Sequence, residues 1–437
     1  MFLQLLPTLL RAEKRGAAVA FLDFIKAYDT VDRSFLLAAM ECMGVGAGFM
    51  RWVRTLLSHT PFVALINGFC SHEAHTRAGV RQGCPLSPLL YLFVAQALQC
   101  WLLASDVGIM VAGARRAATQ FADDTQALLA SLDASDVERF LAIMRVFGCA
   151  SGQHLNLSKC ELLPVGTSSP DSPAPGTYVA GIKVVAAATS LGIQYLNAGD
   201  STAAGTEVDW PARLSTVKAC YSKISLLHLS TFGRAFAAST YGVMHLLYHA
   251  EFGGIPADTA RDLATITTKL VDRGSGPGDP KRKLPGIPSA LLPGHPSVGG
   301  FGAMPWERHI SSRHATWGAR LMRALAAGVT ARSPLWHCVA HALLTYYAGG
   351  DTEVLPVVPP ALALVAASAA APGWFSIAGG RMVPRGPLHR MMAGLRALHP
   401  TGGRPIDVAA AELPPVGPWC VAMPLWGNPL LPVSCAC

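Results

Sequence analysis

Phe21-Leu22-Asp23-Phe24, Ala78-Gly79-Val80-Arg81-Gln82-Gly83-Cys84-Pro85-Leu86-Ser87-Pro88 and Phe121-Ala122-Asp123-Asp124 decide the reading of this 437-residue chain by their order. Residues 17–22 are an unbroken apolar run that stops at Asp23, the pattern of a central strand buried on both faces. A hundred residues later, Thr119 to Ala122 and Thr125 to Leu129 flank Asp123-Asp124. That pattern predicts a hairpin with the aspartate pair in or beside its turn.

Helical stripes fill the intervals. From Asp32, a capping residue type, Leu36, Ala39, Met40 and Met43 predict a helix that stops at Gly44. Ser87 and Pro88 read as an N-cap with proline at the first helical position, opening a helix to about Leu103. Ser135-Asp136-Val137-Glu138 reads as a capping box, and Val137, Phe140, Leu141, Met144 and Phe147 carry the stripe to Gly148. Strand, helix, helix, hairpin, helix is an α+β layout, with helices covering one side of a small antiparallel sheet. Pro170 to Gly176 is a loop, and residues from about 207 to 271, including Phe232 to Tyr248, are helical in pattern. Arg273 to Pro280, rich in Gly and Pro, marks a boundary. Beyond it the chain is Ala- and Pro-rich, with Pro356, Pro359 and Pro360 breaking a would-be helix.

Apolar residues make up 51% of the chain and charged residues 14%, which excludes a disordered protein. The formal charge of +8 is concentrated: Arg273 to Arg323 holds eight Lys or Arg against two acids. Such a stretch suits a polyanion such as nucleic acid, or forms a solvated surface. Eleven cysteines without regular spacing, with Cys435-Ala436-Cys437 the one close pair, predict reduced thiols in an intracellular setting, nuclear or cytoplasmic. His245 and His249 have helical spacing, but Leu246 stands where a metalloprotease needs its glutamate, so they read as core or surface histidines. Met1 to Leu10 lacks the marks of a secretion signal, and the Ala-rich run from Ala361 to Ala371 is too short to cross a bilayer. No membrane span and no secretion are expected.

An aspartate pair in a turn is ordinary on its own, because aspartate favours turns. Three carboxylates gathered beside a hydrophobic strand repel one another unless cations neutralise them. Two divalent ions roughly 3.5–4 Å apart can stabilise the attacking and leaving oxygens of an in-line phosphoryl displacement. Mg²⁺ takes hard oxygen ligands, typically a couple of carboxylates with substrate phosphates. Asp23, Asp123 and Asp124 can supply them. In the middle motif Gly79 and Gly83 allow close backbone approach, Gln82 offers an amide, and Pro85 and Pro88 stiffen the loop. A plain structural glycine turn is the competing reading.

Together these residues resemble the reverse transcriptases of non-LTR (LINE-type) retrotransposons. Phe21 to Asp32 is similar to the family's first palm motif, Gly79 to Pro88 to its Gly-Val-Arg-Gln-Gly-Cys-Pro-Leu-Ser-Pro motif, and Phe121 to Asp124 to its Phe-Ala-Asp-Asp hairpin. Gly152 to Lys159, with Asn156, resembles the next motif, and Ser190 to Ile193 the segment that grips the primer. Gly233-Arg234 with Leu247-Tyr248 resembles the thumb more weakly, and Gly299 to Gly302 followed by Trp317 the region after it. The likeness is specific over residues 17–200 and diffuse beyond. The middle motif argues against a viral RNA-templated RNA polymerase, which shares the carboxylates.

The resemblance implies a polymerase palm over 17–205, a helical thumb over 206–272 and a C-terminal extension over 273–437, with 1–16 a remnant of the fingers. It implies an RNA-directed DNA polymerase using an RNA template, a DNA primer and deoxynucleoside triphosphates. Two Mg²⁺ ions, replaceable by Mn²⁺, would be held by Asp23, Asp123 and Asp124. Tyr28 would be the aromatic gate beneath the nucleotide sugar, with core packing as the alternative. Phe24, Gln82 and Gly83 would line the nucleotide pocket. Lys159 would contact phosphates, with a solvated lysine as the alternative. Only 22 residues precede Asp23, where the family has fingers; Arg11, Lys14 and Arg15 stand there. With no endonuclease domain and no Cys-Cys-His-Cys knuckle, the expectation is a truncated copy, the alternative being an inactive remnant that at most binds nucleic acid.

Overall fold

The computed structural model describes residues 1–58, 60–167, 172–197, 206–272, 292–294, 296–298, 300–330, 333–347 and 386–397. The Ala361 to Ala371 run, the prolines at 356, 359 and 360, the cysteines at 435 and 437, Gly299 and the first part of the basic segment lie outside these residues. The chain divides into two compact units, Leu6–Gly192 and Met1–Leu5 with the chain from Ile193 onward. The division falls at Gly192, thirteen residues before the expected palm boundary, and of the stretch 1–16 expected as a fingers remnant the residues from Leu6 belong to the first unit.

The first unit is built on six strands: β1 (Gly16–Leu22), β2 (Ala118–Phe121), β3 (Asp124–Leu129), β4 (Glu161–Gly166), β5 (Tyr178–Val179) and β6 (Ile182–Val184), in the order β5-β6-β4-β1-β3-β2. All neighbours are antiparallel except β4 and β6, where Glu161 pairs with Lys183 in parallel. The small sheet is therefore mixed, not purely antiparallel. As the apolar run predicted, β1 lies between two partners and is buried from Ala17 to Leu22.

Helices α1 (Phe2–Ala12), α2 (Ala27–Thr30), α3 (Arg33–Cys42), α4 (Ala47–Ser58), α5 (Ser87–Ala104) and α6 (Ala134–Ser151) accompany the sheet. One face of β1 (Ala18, Ala20, Leu22) shares a core with Leu36 and Met40 of α3, Val53 of α4, Val94 and Leu98 of α5, and Phe140 and Met144 of α6. Each fully buried side chain of this size contributes roughly 1.5–3 kcal/mol, so the core anchors the strand that carries Asp23. Among the described residues α5 is the one helix long and apolar enough to cross a bilayer, and its Leu90, Val94, Leu98 and Leu102 are core residues.

Three helix ends differ from expectation. Asp32 caps α3 as predicted, its carboxylate accepting from Phe35 N–H at 2.7 Å. Ser135 does not cap α6: the helix begins at Ala134, and the expected box lies inside its first turn. The Asp136 carboxylate instead accepts from the Ser131 hydroxyl at 2.7 Å. Nor does α6 stop at Gly148. It runs to Ser151 and ends on Gly152 at φ 78°. Gly148 serves close packing, since a Cβ there would come 2.8 Å from the carbonyl oxygen of Gln153. Similarly, α5 starts at Ser87 with Leu86 as its cap residue.

The second unit is mostly helical where described: α7 (Trp210–Ser225), α8 (Thr231–Ala237), α9 (Met244–Gly253), α10 (Ala257–Asp272), α11 (Trp306–Ala327), α12 (Leu335–Tyr347) and α13 (Pro387–Ala397). The stretch from Phe232 to Tyr248, read as helical in pattern, contains a π-helical turn over Ala238–Val243. Gly242 there lies so close to the Tyr221 ring that no side chain would fit between them. Arg234, 5% exposed, ties the unit together by donating to the carbonyl oxygens of Leu229, Leu270 and Val271. Buried Glu251 accepts from the Trp317 indole at 2.6 Å and pairs with Arg313. The eight described cysteines are free thiols.

Candidate active site

Everything expected at the catalytic centre lies in the first unit. β1 pairs with β3 as far as Leu22 opposite Thr125. One step further along that register, Asp23 falls across from Asp124, and directly opposed residues of an antiparallel pair face the same side about 4.5–5.5 Å apart. β2 and β3 close with Phe121 opposite Asp124, leaving Ala122 and Asp123 as a two-residue turn. Ala122 has φ 55° at the first turn position, where glycine is the usual residue. Such strain costs about 1–3 kcal/mol and tends to mark functional sites.

The charges sense one another. Burial, then the charges of Asp123 and Asp23, hold the Asp124 carboxyl above the usual carboxylate range. Three half-buried or exposed acids at the end of one sheet make a donor set that suits a hard divalent cation, and bound positive charge would reverse the repulsion on Asp124. Among the described residues no three His, Cys, Asp or Glu side chains are already closed around an ion position. A site completed by water and substrate phosphates, as is usual for Mg²⁺, does not require a closed protein cage.

Asp23 is held from the other side by the turn after α6. Its carbonyl accepts from Asn156 N–H at 2.8 Å, and its N–H donates to Cys160 Sγ at 3.5 Å. Lys159 sits exposed on that turn. After Asp23 the chain turns through Lys26 at φ 48° into α2. Tyr28 on α2 stacks on Tyr91 of α5, centroids 4.7 Å apart and planes at 16°. Burial, then the charge of Asp123, push the Tyr28 hydroxyl up, so its ring lies near the acids. Phe24 is 8% exposed and bridged to Leu155, and its side chain packs in the core.

The glycine motif packs on α2. Gly79 N–H donates to Val31 O and Val80 N–H to Tyr28 O, both at 2.8 Å. A Cβ on Gly79 would sit 2.5 Å from Asp29 O, which is why glycine stands there at φ 81°. Gly83 also has positive φ but open space around it, and Gln82 is exposed, its amide donating to Asp29 Oδ1 at 3.2 Å.

Two supporting residues escaped the sequence reading. Arg33 donates to the carbonyl oxygens of Leu57 (2.8 Å), Thr76 (2.9 Å), Ala78 (3.2 Å) and Gly79 (3.0 Å), clamping the motif to α3 and α4. The signal was faint: an arginine in the first turn of a helix opposes the macrodipole and so asks for another reason to be there. Gln153, 1% exposed, accepts from Tyr91 OH and donates to Ala27 O, both at 2.9 Å. It thereby joins the Tyr28–Tyr91 stack to the turn that follows α6.

A mixed sheet flanked by helices, with acids at the end of a central strand and on the adjoining hairpin, is the arrangement of a polymerase palm. Residues 4–196 match the reverse transcriptase (RNA-dependent DNA polymerase) family. A 149 kDa protein of transposon TX1 from Xenopus laevis is 30% identical over 164 residues, covering 37% of this chain and 12% of that protein. The Pol polyprotein of the type-1 retrotransposable element R2 from Popillia japonica is 28% identical over 190 residues, 41% of this chain and 31% of that protein. A type-2 element polyprotein, R2DM of Drosophila melanogaster, is 32% identical over 110 residues, 25% of this chain and 10% of that protein. The chain thus spans at most about a third of the length of these relatives. Over residues 4–196 the chain is thus similar to a reverse transcriptase domain, and the relatives that share this stretch are proteins of a transposon and of R2 retrotransposable elements. Enzymes of that family use divalent metal ions, a nucleic acid template and deoxynucleoside triphosphates.

Proposed function

We propose that this chain is an RNA-directed DNA polymerase of a LINE-type retroelement, extending a DNA primer on an RNA template. The observation that supports the proposal is the register of β1 on β3, Leu22 opposite Thr125, which extended by one residue would bring Asp23 across from Asp124, with Asp123 in the adjoining turn. Asp23, Asp123 and Asp124 would hold two divalent ions, Mg²⁺ or in its place Mn²⁺. When bound, these ions supply charge stabilisation to the attacking and leaving oxygens of the transfer. Tyr28, fixed by its stack on Tyr91, would place its ring beneath the incoming sugar. Gln82 and the Gly83 backbone would approach the nucleotide, and Lys159 would approach its phosphates. The division into palm, helical thumb from residue 206 and C-terminal extension from residue 273 is part of the same proposal.

The test is extension of a DNA primer annealed to an RNA template, with deoxynucleotides and Mg²⁺, and with EDTA as the control. Template-dependent, metal-dependent extension is expected. A chain that binds the primer–template and adds no nucleotide with either metal ion would instead be a non-catalytic remnant.

A further inference from the structure

Apart from the carboxylates, the second unit carries an aromatic cavity with cations on its wall. It is about 420 Å³ in volume and lies between α11 and the start of α12, lined by Trp317, Arg320, Arg323, Pro334, Trp336 and His337. That volume is at the small end of ligand clefts, roughly 300–1,000 Å³. The two indole rings stand 5.4 Å apart at 82°, forming an aromatic corner. Trp317 cannot swing away, because its N–H is held at 2.6 Å by the buried Glu251 carboxylate. The Arg320 guanidinium lies 4.9 Å over the Trp317 ring. His337 packs on Trp336 at 4.0 Å, and its Nε2 is buried with no hydrogen-bond partner among the described residues.

We infer that this cavity is a binding subsite for one nucleotide of single-stranded RNA. Flat aromatic and guanidinium faces take an unpaired base by stacking, whatever its identity. Two arginines on the same wall match a phosphate. A purely apolar ligand would gain nothing from the arginines, and an inorganic anion would gain nothing from the indoles. The choice of RNA rests on the proposed function. During RNA-templated copying the product DNA is paired, and the uncopied template is the strand that remains single.

The experiment is fluorescence anisotropy of a labelled RNA oligonucleotide with the full chain, without primer, nucleotides or divalent ions. Trp336→Ala and Arg320→Glu should each weaken binding on the order of ten-fold, in line with losses on removing a stacking aromatic. Trp336→Phe, which keeps an aromatic face, should bind nearly as wild type and so separates stacking from mere folding. Lys218→Gln, at an exposed position of α7, gives the effect of losing one positive charge elsewhere. Equal binding by wild type, Trp336→Ala and Arg320→Glu would overturn the inference, as would a loss no larger than that of Lys218→Gln. Tighter binding of DNA of the same sequence, or full competition by polyglutamate, would overturn it too. RNA binding is read here without primer, nucleotides or divalent ions, so failure of the polymerase reading and failure of this subsite are read in different assays.

Discussion

Replacing Tyr28 by alanine tests the proposal that its ring gates the sugar of an incoming nucleotide. The ring is half-buried, stacked on Tyr91 and near enough to Asp123 for that charge to raise its hydroxyl. Losing the stack costs about 0.5–1.5 kcal/mol, and losing the rest of a half-buried ring costs about as much again. The domain should therefore be destabilised by roughly 1–3 kcal/mol and still fold. Tyr91 stays in place, because Gln153 holds its hydroxyl at 2.9 Å and is itself bonded to Ala27 O. The space vacated should remain open to a 2′-hydroxyl. A relieved clash of this kind changes discrimination by about 1–3 kcal/mol, from ten-fold to somewhat over a hundred-fold. The assay is single-nucleotide extension on an RNA template, comparing kcat/KM for each deoxynucleotide with its ribonucleotide. Tyr28→Phe keeps the ring and should keep the wild-type ratio. Extension by Tyr28→Ala with an unchanged ratio would refute the gate assignment and make Tyr28 a packing residue.

Further predictions concern the scaffold and the charges. Arg33→Ala leaves four carbonyl oxygens without their charged donor and should cost about 2–3 kcal/mol in denaturant unfolding; it should also speed proteolysis between residues 60 and 86, with Arg33→Lys intermediate because an ammonium cannot fork. Gly79→Ala combines a forbidden φ with a 2.5 Å approach to Asp29 O and should destabilise by about 2–3 kcal/mol or more, measured the same way. Asp124 has a folded pKa above its unfolded value, so the stability it contributes is present at acid pH and lost as pH rises through the folded pKa. Without divalent ions, Asp124→Asn should thus raise thermal stability at neutral pH by up to about 1 kcal/mol, discounted for partial exposure, and the gain should vanish in acid. Equal stability of both proteins at neutral pH would show that the acids do not repel.

How much of this was legible depended on the range of the interaction. β1 could be read because a strand buried on both faces needs a continuous apolar run, and the hairpin because alternate sides of Asp123-Asp124 are strand-like. Asp32 could be read because capping is settled within three residues. Ser135 deceived for the same reason in reverse: it has the spacing of a cap, but the chain enters α6 one residue earlier. Gly148 looked like a stop, and only the returning chain at Gln153 reveals that it is a contact. Arg33, Gln153, Arg234 and Glu251 act on partners tens to more than a hundred residues away, and no local pattern encodes such a partner. Phe24 follows Asp23 in sequence, yet its side chain is turned into the core.

The central claim is that Asp23, Asp123 and Asp124 act together on a divalent ion. Its most direct test is the rate of primer extension on an RNA template, across a Mg²⁺ titration, for wild type and for Asp23→Asn, Asp123→Asn and Asp124→Asn. The account predicts metal-dependent extension by wild type and loss on the order of a thousand-fold or more in each variant, since interactions made in the transition state by one unit fail together. Extension at the wild-type rate by any one of the three variants, or by wild type in EDTA, would contradict it.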